Sequence, residues 1–98
     1  MGDFNATPES ITYRLMTDAG FKSAHKTVHG QEPVITFPTG LQAEFMDTDP
    51  PLCLDYIFYK GSESLVPVSA ELAGNVCHPQ DTTLYPSDHM ALVCDFRL

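Results

Sequence analysis

Apolar residues recur with two different periods along the chain, and each period predicts a different kind of element. In residues 52–59 and 90–98 they alternate with other side chains, which is typical of a β-strand. Between residues 8 and 19 they recur at helical spacing, at Ile11, Leu15, Met16 and Ala19. Thr7 offers an N-cap hydroxyl and Pro8 suits the first helical position, so we expect a helix over residues 8–19 that packs on the neighbouring sheet.

Glycines and prolines divide the rest of the chain into short pieces. Residues 21–51 predict a loop, apart from a brief strand at 34–37, and we expect turns at residues 47–49 and 60–64. Residues 65–72 predict one or two strands interrupted by Pro67, and residues 74–86 predict a further loop. One helix, several strands and long loops together predict a layered α/β or α+β fold.

The length and charge of the chain limit what it can do. Its 98 residues suit one small domain. Thirteen acidic residues against five basic ones give a formal charge of -8, so gripping a phosphate backbone would need metal ions or basic residues from another segment. Three cysteines without CxxC spacing predict free thiols in a reducing compartment, cytoplasmic or nuclear. The sequence shows no signal peptide and no long apolar stretch, so we expect no membrane span.

Two histidines lie in the segment that is predicted to be a loop. The four-residue spacing of His25 and His29 would let both rings bind one metal ion if the segment were helical. The local sequence is a poor helix former, however, so loop histidines in solvent are the favoured interpretation.

Candidate chemistry is concentrated in three short motifs. Residues 2–5 read Gly-Asp-Phe-Asn, and the strand period places the Asp3 carboxylate and the Asn5 amide on one face. Asp55 lies in the apolar strand 52–59, where a carboxylate is costly to bury without a partner. Asp88 and His89 precede the last strand, where a turn would lift an acid and an imidazole to the strand end. Acid, amide and imidazole together suit phosphate-ester chemistry.

These motifs, in this order, resemble the carboxy-terminal half of the endonuclease/exonuclease/phosphatase superfamily, the metal-dependent phosphoesterases related to deoxyribonuclease I. The likeness spans almost the whole chain. The residues after Asn5 are most similar to nocturnin-type and other poly(A) deadenylase-like members, at Pro8, Ser10, Tyr13 and Leu15. The resemblance implies the carboxy-terminal half of a four-layered β-sandwich flanked by helices, with residues 1–98 as a partial domain whose amino-terminal half is absent.

The resemblance also implies a role for each motif residue. Asp3 would hold or deprotonate the attacking water, and Asn5 would donate to a phosphate oxygen and steady the nucleophile. His89 would stabilise charge on the phosphoryl oxygen, and Asp55 would orient its ring. Asp88 would bind a metal ion together with Asp3 and Asn5. Mg2+ is the ion expected, with Mn2+ as the alternative.

Family members carry a first half that supplies an asparagine, a metal-binding glutamate and a phosphate-binding tyrosine or histidine, and none of these has a counterpart in this sequence. We therefore expect a Mg2+-dependent nuclease or deadenylase-like hydrolase of RNA phosphodiesters, with RNA favoured over DNA, whose truncated chain is inactive alone. The alternatives are a non-catalytic fragment or interaction module, and a parent enzyme acting on small phosphorylated molecules or phospholipid head groups.

Overall fold

The computed structural model describes residues 1–46, 49–61 and 63–98. Its elements follow in the order β1 (Gly2–Asp3), α1 (Ile11–Asp18), β2 (Lys22–Ser23), α2 (Ala24–His29), β3 (Asp55–Tyr56), β4 (Phe58–Tyr59), β5 (Val66–Ala73) and β6 (Ala91–Arg97). The strands pair as three antiparallel two-stranded sheets, β1 with β3, β2 with β4, and β5 with β6. The mixture of helix and strand is α+β in kind, as predicted. The four-layered sandwich is not confirmed, because the described strands form small sheets only.

Helix α1 begins later than the apolar pattern predicts. Ser10 has extended backbone angles and its hydroxyl accepts the backbone N–H of Tyr13 at 3.2 Å, so Ser10 is the N-cap. Thr7 was the expected cap, and this prediction is wrong: its carbonyl accepts the N–H of Ser10 at 3.0 Å in a turn before the helix. Both hydroxyls are plausible caps by sequence, and the turn that contains Pro8 decides between them.

An aromatic cluster joins α1 to the first sheet. Its buried members are Tyr13, Cys53 and Tyr56, and Phe4 and Phe58 pack against them. The ring centres of Tyr13 and Tyr56 lie 5.4 Å apart, and those of Phe4 and Phe58 lie 5.3 Å apart. The predicted packing of the first helix on the sheet that carries Asp3 is confirmed, because Tyr13 of α1 and Phe4, which directly follows Asp3, meet in this cluster. The apolar face on which the prediction rested is wrong in part, since Ile11, Leu15 and Ala19 are exposed.

Tyr56 fixes the chain just after the first motif. Its side chain is only 2% exposed, and its hydroxyl lies 2.7 Å from the carbonyl of Ala6 and 3.0 Å from that of Cys53. A buried phenol needs such acceptors, since an unpaired hydroxyl would cost free energy. The Tyr56 hydroxyl thus connects Ala6 to strand β3.

Part of the loop predicted over residues 21–51 is helical, and this prediction is wrong there. Helix α2 (Ala24–His29) begins after Ser23, whose hydroxyl accepts the N–H of Lys26 at 3.4 Å. It ends at Gly30, which adopts the left-handed conformation at φ 82°. A six-residue helix is too short to be stable by propensity alone, and α2 is held by its caps and by packing on β5. The strand predicted at 34–37 is reduced to a single bridge between Phe37 and Leu52.

The remaining strand predictions hold with local changes. The predicted strand 52–59 is divided into β3 and β4, because they pair with different partners. Strand β5 matches the prediction for residues 65–72, with a register irregularity between Pro67 and Ser69. Strand β6 shows the predicted alternation, with Leu92, Cys94 and Phe96 half-buried.

Three further predictions have mixed outcomes. The turns expected at 47–49 and 60–64 include Asp47, Thr48 and Ser62, which lie outside the described residues. All three cysteines are free thiols, as predicted, although only Cys53 is buried. Over the described part of the chain, neither helix has the length and apolar character that crossing a membrane requires.

Candidate active site

Strand pairing brings two of the predicted carboxylates together. In the β1–β3 ladder Asp3 lies directly opposite Asp55. His89 reaches the same place from the residue pair before β6, where the N–H of Met90 donates to the carbonyl of Thr36 at 2.8 Å. Three segments that are distant in sequence therefore meet at one end of the first sheet.

The His89 imidazole lies between the two carboxylates. Its Nδ1 is 2.9 Å from Oδ2 and 3.1 Å from Oδ1 of Asp55, and its Nε2 is 3.7 Å from Oδ2 of Asp3. An ionised carboxylate only accepts hydrogen bonds, so Nδ1 carries the proton in this pair. This contact gives Asp55 the partner that its position in an apolar strand requires, and it directs Nε2 towards Asp3.

Asp55, His89 and Asp3 form a row with the imidazole in the middle, and exposure increases along this row. Side-chain exposure is 14% for Asp55, 26% for His89 and 37% for Asp3. Partial burial alone would lower the pKa of the His89 imidazole. The hydrogen bond to Asp55 and the negative charges around the ring outweigh burial and raise this pKa above its ordinary value. His89 therefore keeps its second proton to a higher pH than an ordinary imidazole does, and in this protonated form Nε2 is a hydrogen-bond donor.

Thr36 supports this row and was missed by the sequence reasoning. It is fully buried, and its hydroxyl donates to Oδ2 of Asp55 at 2.6 Å. The Thr36 hydroxyl oxygen also accepts the N–H groups of Leu54 and Asp55, at 2.9 and 3.2 Å. Since its carbonyl also holds Met90, Thr36 links the two segments that carry Asp55 and His89. A threonine in a predicted strand is ordinary, so only the long-range contacts reveal this role.

The other two predicted residues lie beside the row. Asn5 has a left-handed backbone (φ 48°), and its N–H donates to Oδ1 of Asp3 at 2.8 Å. Asn5, Asp88 and His89 line a cleft of about 340 Å3, with Phe37, Phe45, Met46, Asp49 and Leu54 as the other lining residues. The structure thus groups Asp3, Asp55 and His89 closely and places Asn5 and Asp88 at the adjoining cleft.

The donor atoms suit a hard divalent cation. One ligand atom each from Asp3, Asp55 and His89 lies within 4.8 Å of the others. Asp55 and Nδ1 of His89 satisfy each other, however, so the oxygen most available to an ion is the exposed carboxylate of Asp3. Asn5 and Asp88 bring further oxygen donors to the cleft, and oxygen ligands are those that Mg2+ and Mn2+ prefer. These residues therefore fit such an ion.

Comparison with known proteins identifies the family of this chain. The sequence model of the Endonuclease/Exonuclease/phosphatase family matches residues 1–89, so the chain belongs to this family. The family comprises phosphoesterases of the nuclease type that act on phosphodiester substrates and generally depend on divalent metal ions. No curated protein and no solved structure matches the chain significantly.

Proposed function

We propose that this chain carries part of the active site of a Mg2+-dependent phosphodiester hydrolase whose substrate class is RNA. The observation that carries this proposal is the position of the His89 ring, with Nδ1 on Asp55 and Nε2 directed at Asp3. An oriented imidazole beside an accessible carboxylate can supply the acid and the base for phosphate-ester hydrolysis.

Each of the grouped residues has a distinct task. Asp55 holds the His89 ring, and the raised pKa of that ring keeps a proton on Nε2 for donation to a phosphoryl oxygen. Asp3 orients the attacking water and accepts its proton, while the N–H of Asn5 holds the carboxylate in place. When bound, Mg2+ supplies charge neutralisation at the phosphate, and the oxygens of Asp3, Asn5 and Asp88 would hold it.

We also propose that residues 1–98 correspond to the carboxy-terminal half of a four-layered family domain, nearest to the nocturnin-type members. The order of the three motifs supports this position, and the deadenylase-like residues after Asn5, such as Pro8 and Tyr13, support RNA. On this proposal the main metal ligand comes from an amino-terminal half, and hydrolysis by residues 1–98 alone is weak. The three free cysteines support a reducing location, cytoplasmic or nuclear.

The test compares substrates and measures binding as well as turnover. The chain is titrated with a single-stranded adenosine RNA, the matching DNA and a soluble phosphomonoester, each with Mg2+, Mn2+ or a chelator. We expect RNA to perturb the amide signals of Asp3 and His89 in the presence of Mg2+, and the His89→Ala variant to lose this response. His78→Ala is the matched control, because the hydrogen bonds of His78 among the described residues stay within its own loop, to Gln80, Asp81 and Leu84. A response to the phosphomonoester alone would instead indicate small phosphorylated molecules as substrates.

A second candidate function is a non-catalytic interaction module. Exposed apolar side chains favour it, notably Ile11 (76% exposed) and Leu15 (65%) on α1 and Val93 (51%) on β6. This candidate predicts concentration-dependent association in sedimentation measurements, and no effect of Mg2+ or of His89→Ala on any bound ligand.

A further inference from the structure

Helix α2 carries two histidines whose rings lie against each other, away from the row described above. The ring centres of His25 and His29 are 4.5 Å apart, with 41° between the ring planes. They are one helical turn apart, the spacing at which two side chains share a helix face. His25 is half-buried and His29 is exposed.

Backbone carbonyls fix the protonation of one nitrogen in each ring. Nδ1 of His25 is 2.9 Å from the carbonyl oxygen of Gln31, and Nε2 of His29 is 2.6 Å from that of Ala70 on β5. A carbonyl oxygen only accepts, so both of these nitrogens carry hydrogen. In the neutral rings, Nε2 of His25 and Nδ1 of His29 therefore keep free lone pairs.

This pattern is that of metal-binding histidines, whose second nitrogen typically donates to a carbonyl or carboxylate that fixes the ring. A nitrogen bound to zinc at about 2.0–2.1 Å places the ring centre about 3.2 Å from the ion. Two rings on one ion, at ligand angles of about 90° to 109°, then have centres about 4.5–5.2 Å apart. The observed 4.5 Å lies within this range.

We propose that His25 and His29 form a two-histidine site for a borderline divalent transition ion such as Zn2+ or Ni2+. No third His, Cys, Asp or Glu of the described residues joins the pair in a larger ligand cluster, so water takes the other positions. Imidazole favours such ions over Mg2+, which makes this site chemically distinct from the oxygen-rich cleft at Asp3. The inference is independent of the proposed function.

The site would also stabilise the attachment of α2 to the β5–β6 sheet. His29 bonds to Ala70, and α2 packs on β5. An ion that bridges His25 and His29 cross-links one turn of a six-residue helix, and a ligand that binds only the folded state stabilises it by mass action. Zn2+ is therefore expected to slow amide exchange in Ala24–His29.

In the test, the full chain is titrated with Ni2+ in the presence of excess Mg2+. The Mg2+ occupies oxygen ligands but competes poorly for imidazole. Paramagnetic broadening should begin at the amides of residues 24–30, and long-range nitrogen spectra should show hydrogen on Nδ1 of His25 and on Nε2 of His29 before Ni2+ is added. Broadening centred elsewhere, or the opposite ring tautomers, would overturn the proposal without bearing on the Asp3 and His89 site.

Variants of the two histidines provide a second test of the site. His25→Gln and His29→Gln should each weaken Ni2+ binding by at least about tenfold, whereas His78→Gln should leave it unchanged. The side chain of the His29→Gln variant keeps a donor for the Ala70 carbonyl but has no imidazole. Weaker Ni2+ binding by this variant would therefore show that the ring binds the ion, and not only that it holds α2 on β5. Equal affinity in the wild type and both variants would contradict the site, and the broadening map of the unaltered protein decides the matter if a variant fails to fold.

Discussion

The hydroxyl of Thr36 donates to Oδ2 of Asp55 at 2.6 Å, and the same carboxylate oxygen lies 2.9 Å from Nδ1 of His89. The orientation of the imidazole thus depends on a fully buried threonine 53 positions earlier in the chain. Thr36 acts through Asp55 and is a positioning residue.

Replacing this hydroxyl should weaken both stability and the ordering of the ring. Thr36→Val leaves the N–H of Leu54 without its partner and removes one of the two hydrogen bonds to Oδ2 of Asp55, which should cost about 1–3 kcal/mol in the free energy of unfolding. The measurement is urea unfolding, together with solvent exchange of the His89 Nδ1 proton, which should accelerate. Thr36→Ser retains the hydroxyl and should keep exchange slow; fast exchange in the serine variant would contradict a role for the hydrogen bond.

The pKa of His89 predicts a defined pH dependence in metal-free protein. The imidazole should titrate above the ordinary value of 6.5. Because the folded protein holds this proton more tightly than the unfolded chain, its contribution to stability is complete below about pH 6.5 and is lost as pH rises through the folded pKa. Ring signals followed by NMR across this range give the value directly.

A matched pair of variants tests the cause of this shift. Asp55→Asn removes the hydrogen-bonded charge and should lower the pKa of His89, while Asp95→Asn should leave it unchanged, because Asp95 bonds to Ser69 on the other sheet. Identical His89 titration in wild type and Asp55→Asn would rule out the carboxylate as the cause.

The tyrosines of the consecutive strands β3 and β4 should contribute unequally to the free energy of unfolding. Tyr56→Phe removes a buried hydroxyl that serves the carbonyls of Ala6 and Cys53, so we expect a loss of about 1–3 kcal/mol. Tyr59→Phe removes an exposed hydrogen bond to Thr27 and should cost well under 1 kcal/mol, roughly within the range of ordinary surface substitutions. Thermal or urea unfolding of both variants makes the comparison, and equal costs would contradict the buried network.

The start of α1 can be tested in the same way. Ser10→Ala removes the N-cap and should cost about 0.5–2 kcal/mol. Thr7→Ala should cost clearly less, since the contact of Thr7 with Ser10 uses the Thr7 backbone carbonyl. A larger loss in the Thr7 variant would restore the earlier start that the sequence pattern favours.

The contrast between Ser10 and Thr7 illustrates how far sequence reasoning reaches. Period-two alternation located β6 because its faces differ in burial, and helical spacing located the body of α1. Neither pattern fixes an element boundary, where two hydroxyls three residues apart compete as caps. Helix α2 was missed although Ser23 and Gly30 flank it, because six residues hold too little periodic signal and packing on β5 supplies the rest.

At the candidate site, too, sequence reasoning found some of the residues and missed others. The anomaly of Asp55 in an apolar strand predicted that a partner exists, and the likeness of the motifs to a known family named His89 as that partner. Thr36 could not be found in this way, since its hydroxyl contacts Asp55 across 19 positions and Thr36 lies in a segment that forms only one bridge. Long-range hydrogen bonds leave no local pattern in a sequence.

We propose that Asp3 and the adjoining cleft form a Mg2+ site beside the oriented imidazole of His89. The most direct measurement is an amide correlation NMR spectrum of the chain with and without millimolar Mg2+, repeated with Asp3→Asn and with the control Asp95→Asn. We expect shifts confined to Asp3, Asn5, Asp88, His89 and their neighbours, which are lost in Asp3→Asn and retained in Asp95→Asn. A spectrum that Mg2+ leaves unmoved, or shifts that persist in Asp3→Asn, would contradict the Mg2+ site.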